Sequence, residues 1–217
     1  MTDVSGNQAI EKFDISKIFP KLYSASSDRA TLVEAPAMRT LAINGEGDST
    51  GPRYNDSVAA LYAVAYALKS LPSEGITIDG FVNFNIVALE CLWSSKAGGM
   101  FNPANKSDAL WELCIVVPGF VTPSLVRLAQ IELMKKETNQ AILEVHVNSL
   151  QEKKSAQILH RGSHENIPAK FAKLQSYLKR TGYKPSSRFH EIYLNDVATT
   201  KKAALRTILR QPVVKLR

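Results

Sequence analysis

The sequence has few cysteines and no long hydrophobic run. Cys91 and Cys114 are its two cysteines, too few for a disulfide framework and without the spacing of metal ligands, so we expect free thiols. No apolar run reaches the ~18 residues that a transmembrane helix needs. The first ten residues lack a basic stretch followed by an apolar core, so no secretory signal is expected. These absences predict a cytoplasmic protein.

Several motifs that mark catalytic or cofactor sites are also missing. No Gly-x-Ser-x-Gly sequence, zinc finger or RNA-binding aromatic signature occurs. Gly45-x-Gly47 lacks the third glycine and the adjacent helix of a dinucleotide loop, and instead predicts a turn with positive φ. His160 and His164 span a predicted strand-to-loop transition, where a four-residue spacing does not bring two ligands together. We therefore expect neither a cofactor nor a metal.

The charge that is present is unevenly distributed. Residues 1–150 carry a balance of −4 and residues 151–217 a balance of +11, for a net charge of +7. A basic half can bind nucleic acid or a membrane surface. No block of five like charges occurs, and the bases are scattered through predicted helices and strands. We favour a solvated basic face, partnered by the acidic half of the same chain, over either of these partners.

The 217 residues, 45% hydrophobic and 22% charged, suit one globular domain. Hydrophobic periodicity predicts a short amphipathic helix within 13–23, strands at 33–43 (interrupted at Pro36), 81–93, 110–117, 142–147, 155–159, 189–194 and 204–209, and helices at 56–71, 122–137 and 166–180. The order strand, glycine, helix, strand, strand occurs twice. The pattern predicts an α+β fold of two tandem strand-helix-strand-strand modules, with a groove between them. We divide this single domain into an arm (1–30), a first module (31–120), a connecting helix (121–140) and a second module (141–217).

Glu191 is the first candidate for chemistry. On a strand, side chains alternate between faces, so Glu191 shares a face with Phe189 and Tyr193, while Ile192 lies on the other. If the aromatic face is exposed to solvent, Glu191 is an ordinary surface residue. If it faces the groove, it is a carboxylate in an aromatic setting that attracts cations.

Three other aromatic residues are weaker candidates. Trp93 lies three residues after Glu90, so the two do not share a face of a regular strand, and core packing of Trp93 is the simpler interpretation. Tyr62 and Tyr66 lie four residues apart on one side of the first long helix. Tyr66 falls at the edge of the apolar stripe, where its ring can face either a groove or solvent.

The sequence resembles the GyrI-like small-molecule-binding family, in the stand-alone form without a DNA-binding domain. The similar segments are 13–17, 22–23, 41–48, 60–69, 89–93 and 190–194. The resemblance implies two strand-helix-strand-strand modules related by pseudo-twofold symmetry, with the ligand in the groove between them. The sequence departs from the family pattern at Cys91, where glycine is expected.

The resemblance also implies roles for single residues. Glu191 matches a glutamate at the floor of an aromatic pocket that binds planar cations, and Tyr193, Trp93, Tyr62 and Tyr66 match lining positions. The resemblance to some stand-alone members implies hydrolysis of cyclopropane-bearing alkylating natural products. Glu191 would then act as general base or orient water, and Tyr193 or Tyr66 would polarise the leaving carbonyl. A protein-interaction module of gyrase-inhibitor type is a further alternative.

Overall fold

The computed structural model describes residues 12–98, 101–105 and 108–216. The elements are α1 (Ile15–Ile18), β1 (Thr31–Ala35), β2 (Met38–Glu46), α2 (Pro52–Ser70), β3 (Leu89–Ser95), β4 (Ala109–Val116), α3 (Pro123–Leu133), β5 (His146–Leu150), β6 (Lys153–Arg161), α4 (Ile167–Thr181), β7 (Tyr183–Pro185), β8 (Phe189–Tyr193) and β9 (Arg206–Lys215). The fold combines helices with an antiparallel sheet, as the sequence predicts. None of the described helices has the length and apolar character needed to cross a bilayer.

One antiparallel sheet contains strands from both halves of the chain. Its strand order is β1-β6-β9-β8-β3-β4-β2-β5, and the short β7 pairs with β9. β3 and β8 are neighbours although about 100 residues separate them, with Cys91 opposite Glu191 and Trp93 opposite Phe189. This central pair places the aromatic face predicted for β8 beside side chains of β3.

The main core lies on the sheet face covered by α2 and α4. Buried residues of α2, such as Leu61 and Leu68, pack there with Leu41 of β2 and Leu113 of β4, in agreement with the apolar stripe of the helix. A smaller core on the other face includes Ile15, Leu22 and Ile192. The arm before β1 therefore covers the second face of the sheet.

Two predicted strands need correction. Residues 81–88 do not belong to the sheet: Phe84 is buried, but it forms an isolated parallel bridge with Phe13 of the arm. The alternating pattern there reflects packing against the arm, and the strand begins at Leu89. Residues 142–144 belong to a 3-10 turn that Asn139 caps through the amide of Ala141, so the following strand begins at His146.

Several element ends also differ from the prediction. α2 begins at Pro52 rather than at residue 56, because proline suits the first helical position and Gly51 precedes it as N-cap. α3 ends at Leu133 rather than at residue 137. β9 continues through Pro212 to Lys215, beyond the predicted end at residue 209. Thr122 caps α3 by accepting a hydrogen bond from the amide of Leu125, and Gly182 ends α4 in the left-handed conformation.

Gly45 does not form the predicted turn. It lies in β2 directly opposite Trp111 of β4, and a Cβ at this position would overlap the Trp111 ring. Only the second glycine of the motif, Gly47, has a positive φ, 84°. Gly45 is therefore required for the close approach of an indole, and Gly47 for the turn.

Candidate functional site

Glu191 lies at the centre of the sheet, on the face covered by the two long helices. It is 0% exposed, so the interpretation of Glu191 as a surface residue is wrong. Its carboxylate Oε2 accepts a hydrogen bond of 2.8 Å from the hydroxyl of Tyr193 on the same strand. Its other oxygen, Oε1, has no hydrogen-bond partner among the described residues. A buried carboxylate oxygen without a partner is costly for stability, which favours a role outside folding.

A second tyrosine extends this hydrogen-bonded group. The hydroxyl of Tyr54, in the first turn of α2, lies 3.5 Å from the hydroxyl of Tyr193. Burial, followed by the charge of Glu191, raises the pKa of Tyr193 well above its usual value. Burial also raises the pKa of Tyr54, where a hydrogen bond with Cys91 contributes. Both phenols therefore stay protonated and can donate a hydrogen bond at neutral pH.

Aromatic rings enclose this hydroxyl pair. The Tyr54 ring packs parallel to Trp93, with ring centroids 6.4 Å apart, and edge-on to Trp111 at 5.1 Å. The Phe101 ring stacks on Trp93 at 5.3 Å and on Phe189 at 6.0 Å, with interplanar angles of 12° and 19°. We call these residues, together with Glu191 and Tyr193, the aromatic box.

A cleft of about 480 Å³ lies against one wall of the aromatic box. Trp93, Phe101 and Phe189 contribute its inner wall. Its outer wall is polar and comes from the segment between β7 and β8 and from β9. The remaining lining residues are Ser94, Lys184, Pro185, Ser186, Ser187, Arg188 and Gln211. The rings of the box therefore border a space large enough for part of a small molecule.

The structure separates Tyr62 and Tyr66 from the aromatic box. Their rings stack on each other at 6.4 Å, and Tyr66 is 58% exposed. Tyr66 lines a surface cleft with Lys69 and Asn85, while burial and the charge of Asp196 raise the pKa of Tyr62. The expectation that Tyr62 and Tyr66 line the same groove as Glu191 gains no support from this placement. Tyr54, more than two helical turns nearer the start of α2 than Tyr62, lies beside Tyr193 instead.

Glu90, the other buried glutamate of the central strands, lies on the opposite face of the sheet. Its Oε1 accepts a 2.7 Å hydrogen bond from Tyr23 of the arm, and its Oε2 lies 3.0 Å from Nε2 of His190. His190 also contacts Glu152, which in turn pairs with Arg210. We call these five residues the ionic cluster; all are buried.

The ionic cluster is balanced in charge. Burial alone would lower the pKa of His190, but the carboxylates of Glu152 and Glu90 raise it to about 9. Burial would raise the pKa of Glu152, but His190 and Arg210 lower it to about 2. Two cations then compensate two carboxylates, so the ionic cluster is explained as a structural link between the arm and the sheet.

Tyr54, Phe101 and His164 of this region were not among the predicted site residues. The His164 ring lies tilted by 32° against the Tyr193 ring, with centroids 5.5 Å apart, and its Nε2 lies 3.1 Å from the hydroxyl oxygen of Thr207. Pro52 at the helix start is the one sequence signal that places Tyr54 on α2 rather than in a loop. Phe101 lies in a connection without regular structure, where periodicity predicts nothing.

A buried aromatic cluster around one incompletely bonded acid, on a fold of helices and antiparallel sheet, is the candidate small-molecule site of the described residues. Comparison of the sequence with protein families agrees: a profile described as "GyrI-like small molecule binding domain" matches residues 30–213. The chain belongs to this GyrI-like family. No curated protein sequence matches the chain.

Solved structures of similar fold include bacterial proteins of nearly the same length. A hydrolase from Listeria innocua has a TM-score of 0.83 at 26% identity, over 94% of this chain and 100% of its own. A second hydrolase from the same organism has a TM-score of 0.85 at 27% identity, with the same coverage. The C-terminal domain of EcmrR shares the fold, with a TM-score of 0.56 at 14% identity over 87% of this chain and 98% of its own.

Proposed function

We propose that the protein binds planar aromatic small molecules, often cationic, in the aromatic box, and acts in sequestration or sensing. The observation that carries the proposal is the unpartnered Oε1 of Glu191, buried among parallel rings. Stacking on Trp93 and Phe189 favours flat ligands, and the carboxylate favours ligands with a positive charge or a hydrogen-bond donor. Family membership supports a small-molecule ligand.

We also propose that the scaffold consists of two modules, β2-α2-β3-β4 and β6-α4-β8-β9, related by a pseudo-twofold axis between β3 and β8. The strand order supports this arrangement, because on both sides of the centre it runs outward through the second, third and first strand of the module. Under this proposal Glu191 lies at the junction of the modules. Both modules then contribute to one ligand site.

A fluorescence titration tests ligand binding directly. Trp93 and Trp111 are the two tryptophans of the chain, and both belong to the aromatic box, so a bound dye should quench intrinsic fluorescence. We expect saturable binding of rhodamine 123, a planar cation, and weaker binding to Glu191→Gln. Glu90→Gln is the matched control, because it removes an equally buried carboxylate from the opposite sheet face. Absence of saturable binding, or equal affinity of the wild type and Glu191→Gln, would refute the proposal.

A second candidate function is hydrolysis in the same site, favoured by the hydrogen bond between Glu191 and Tyr193. The two Listeria innocua proteins described as hydrolases support this candidate, at 26% and 27% identity over their full length. The reaction suggested by the family resemblance is the opening of a cyclopropane ring in an alkylating natural product. A strained ring conjugated to a carbonyl needs only a positioned water and a stabilised oxyanion.

The residues of the box suit both requirements. The Glu191 carboxylate would accept a proton from water as the water oxygen bonds to a ring carbon. The carbon–carbon bond of the cyclopropane would break, with its electron pair delocalised onto the conjugated carbonyl oxygen. The Tyr54 hydroxyl would donate a hydrogen bond to that oxygen, while the single hydroxyl proton of Tyr193 stays hydrogen-bonded to Glu191 and positions the carboxylate. Transfer of the proton from Glu191 to the oxygen completes addition of one water. Tyr54 replaces Tyr66 as the second hydroxyl in this scheme, because it lies next to Tyr193.

Incubation with a cyclopropane-bearing alkylator tests the second candidate. We expect a product heavier by one water, detected by mass spectrometry, with turnover lost in Glu191→Gln and reduced in Tyr193→Phe. Tyr62→Phe is the matched control, since Tyr62 lies outside the aromatic box. Dye binding without turnover would leave sequestration or sensing as the function.

A further inference from the structure

The cleft beside the aromatic box has one sign of charge. Its described lining contains two cationic side chains, Lys184 and Arg188, and no carboxylate. Arg188 already forms a salt bridge with Glu112, at 3.1 Å. Lys184 is exposed at the edge strand β7 and forms no salt bridge within the described part of the chain. One ammonium group is therefore available at the mouth of the cleft.

The other polar groups of the cleft are hydrogen-bonding side chains. Ser186 and Ser187 are exposed beside Lys184 and can donate to an oxygen. The side chain of Gln211 is buried, and its amide donates 2.8 Å to the backbone carbonyl of Ser187. That bond links the segment that carries Ser186 and Ser187 to β9 and so fixes the position of the outer wall.

Rings and cation lie on opposite walls of this single cleft. Trp93 and Phe189 provide the apolar wall, while Lys184 provides a positive charge at the rim. Glu191 does not line the cleft; it lies two residues from Phe189 on the same strand face, within the box. A ligand that spans both regions meets a negative group at one end and a positive group at the other.

We propose that the cleft is a subsite for an anionic tail, so that the ligand class is a planar aromatic molecule bearing a carboxylate. Lys184 is its specificity-determining residue and binds the tail carboxylate at the rim. This inference rests on the proposed function, since it assumes that the aromatic head binds at the box.

The test compares rhodamine 110 with rhodamine 123, its methyl ester, in the full-length protein. The two dyes share one planar xanthene cation and differ in a single carboxylate charge. We expect Lys184→Gln to lower the affinity for rhodamine 110 by about three- to fivefold, the upper range for an exposed ion pair. The affinity for rhodamine 123 should stay within about twofold of the wild-type value. The effect should fade with added salt, because solvent-exposed charges are screened.

Lys179→Gln is the charge-matched control, because Lys179 is exposed near the end of α4 and does not line the cleft. We expect it to change neither affinity. If Lys184→Gln leaves the ratio of the two affinities unchanged while both dyes bind, this inference is overturned and the proposed function stands. If neither dye binds saturably to the wild type, both are overturned.

Discussion

The two buried glutamates of the central strands should respond in opposite ways to removal of their charge. Glu90 is 2% exposed and Glu191 is 0% exposed, and they lie on neighbouring strands of one sheet. Both oxygens of Glu90 have partners, Tyr23 and His190, whereas one oxygen of Glu191 has none among the described residues. The two glutamates are therefore equally buried but differ in the number of partners of their carboxylate oxygens. A comparison of the two measures the energetic effect of the missing partner of Glu191.

The magnitudes follow from these contacts. Glu90→Gln removes one negative charge from a buried ion network and should lower the free energy of unfolding by about 3–5 kcal/mol. The double variant Glu191→Met/Tyr193→Phe removes an unsatisfied oxygen, worth about 1–3 kcal/mol, together with both partners of the 2.8 Å hydrogen bond, which is nearly neutral. The Tyr54 hydroxyl loses its 3.5 Å contact with Tyr193 but keeps its hydrogen bond with Cys91. The double variant should therefore raise the free energy of unfolding by about 1–3 kcal/mol. For a chain of this size each kcal/mol corresponds to about 2–4 °C in Tm.

Denaturant unfolding followed by circular dichroism, with calorimetry as a second probe, measures both changes. The double variant should be more stable than the wild type and should fail to bind rhodamine 123. Gain of stability with loss of binding is the expected result for an acid kept for function. A loss of more than about 1 kcal/mol in the double variant would refute the reasoning, because Glu191 would then be a structural residue like Glu90.

Three further predictions follow from other contacts. His190, whose pKa is raised from 6.5 to about 9, contributes stability that is fully present below pH 6.5 and is lost as the pH rises through about 9; the loss is on the order of 3 kcal/mol and should be smaller in Glu152→Gln, where only Glu90 still raises the pKa. At the acid end, the pKa of Glu152 is lowered from 4.5 to about 2, so its contribution is lost as the pH falls from 4.5 through about 2, and unfolding curves measured across pH check both ends. Gly45→Ala should lower stability by about 1–3 kcal/mol and shift tryptophan emission, because the new methyl group overlaps the Trp111 ring; Gly119→Ala, at a glycine without a positive φ and with open space around it, is the comparison, and an unchanged emission spectrum of Gly45→Ala would contradict the prediction. Phe101→Ala should raise the affinity for rhodamine 123 if the dye stacks between Trp93 and Phe189, because the Phe101 ring stacks on both of them in the structure. A lower affinity would instead show that Phe101 is a wall of the site.

Local patterns predicted much of the scaffold around the site. The alternation in β8 correctly placed Glu191 with Phe189 and Tyr193, and the same rule correctly placed Glu90 and Trp93 on different faces. These predictions hold because the period of two depends only on backbone geometry. Whether the aromatic face met solvent or protein depended on the pairing of β8 with β3, about 100 residues away, and no local pattern specifies such a partner.

The same limit explains the errors. Phe84 shows a strand-like alternation because it is buried, but its partner is Phe13 of the arm rather than the sheet. Tyr66 lies near the apolar stripe of α2, and its distance from Glu191 depends on which end of the helix lies over β8. Tyr54 comes close because it occupies the first turn of α2, one end of a 19-residue helix. Periodicity identifies the buried face of a helix but not its position along the helix axis.

The two faces of the central strand pair also indicate why one acid is free to act on a ligand and the other is not. On β8, His190 points to the arm and Glu191 to the helices, so consecutive residues belong to two different environments. The ionic cluster ties β8 to the arm through His190 and ties β9 through Arg210. Because those contacts fix β8 from the sheet face that the arm covers, the side chain of Glu191 is not needed to hold the strand in place. Its carboxylate can therefore keep one oxygen unbonded without displacing the strand, and that oxygen is the group a ligand or a water would meet.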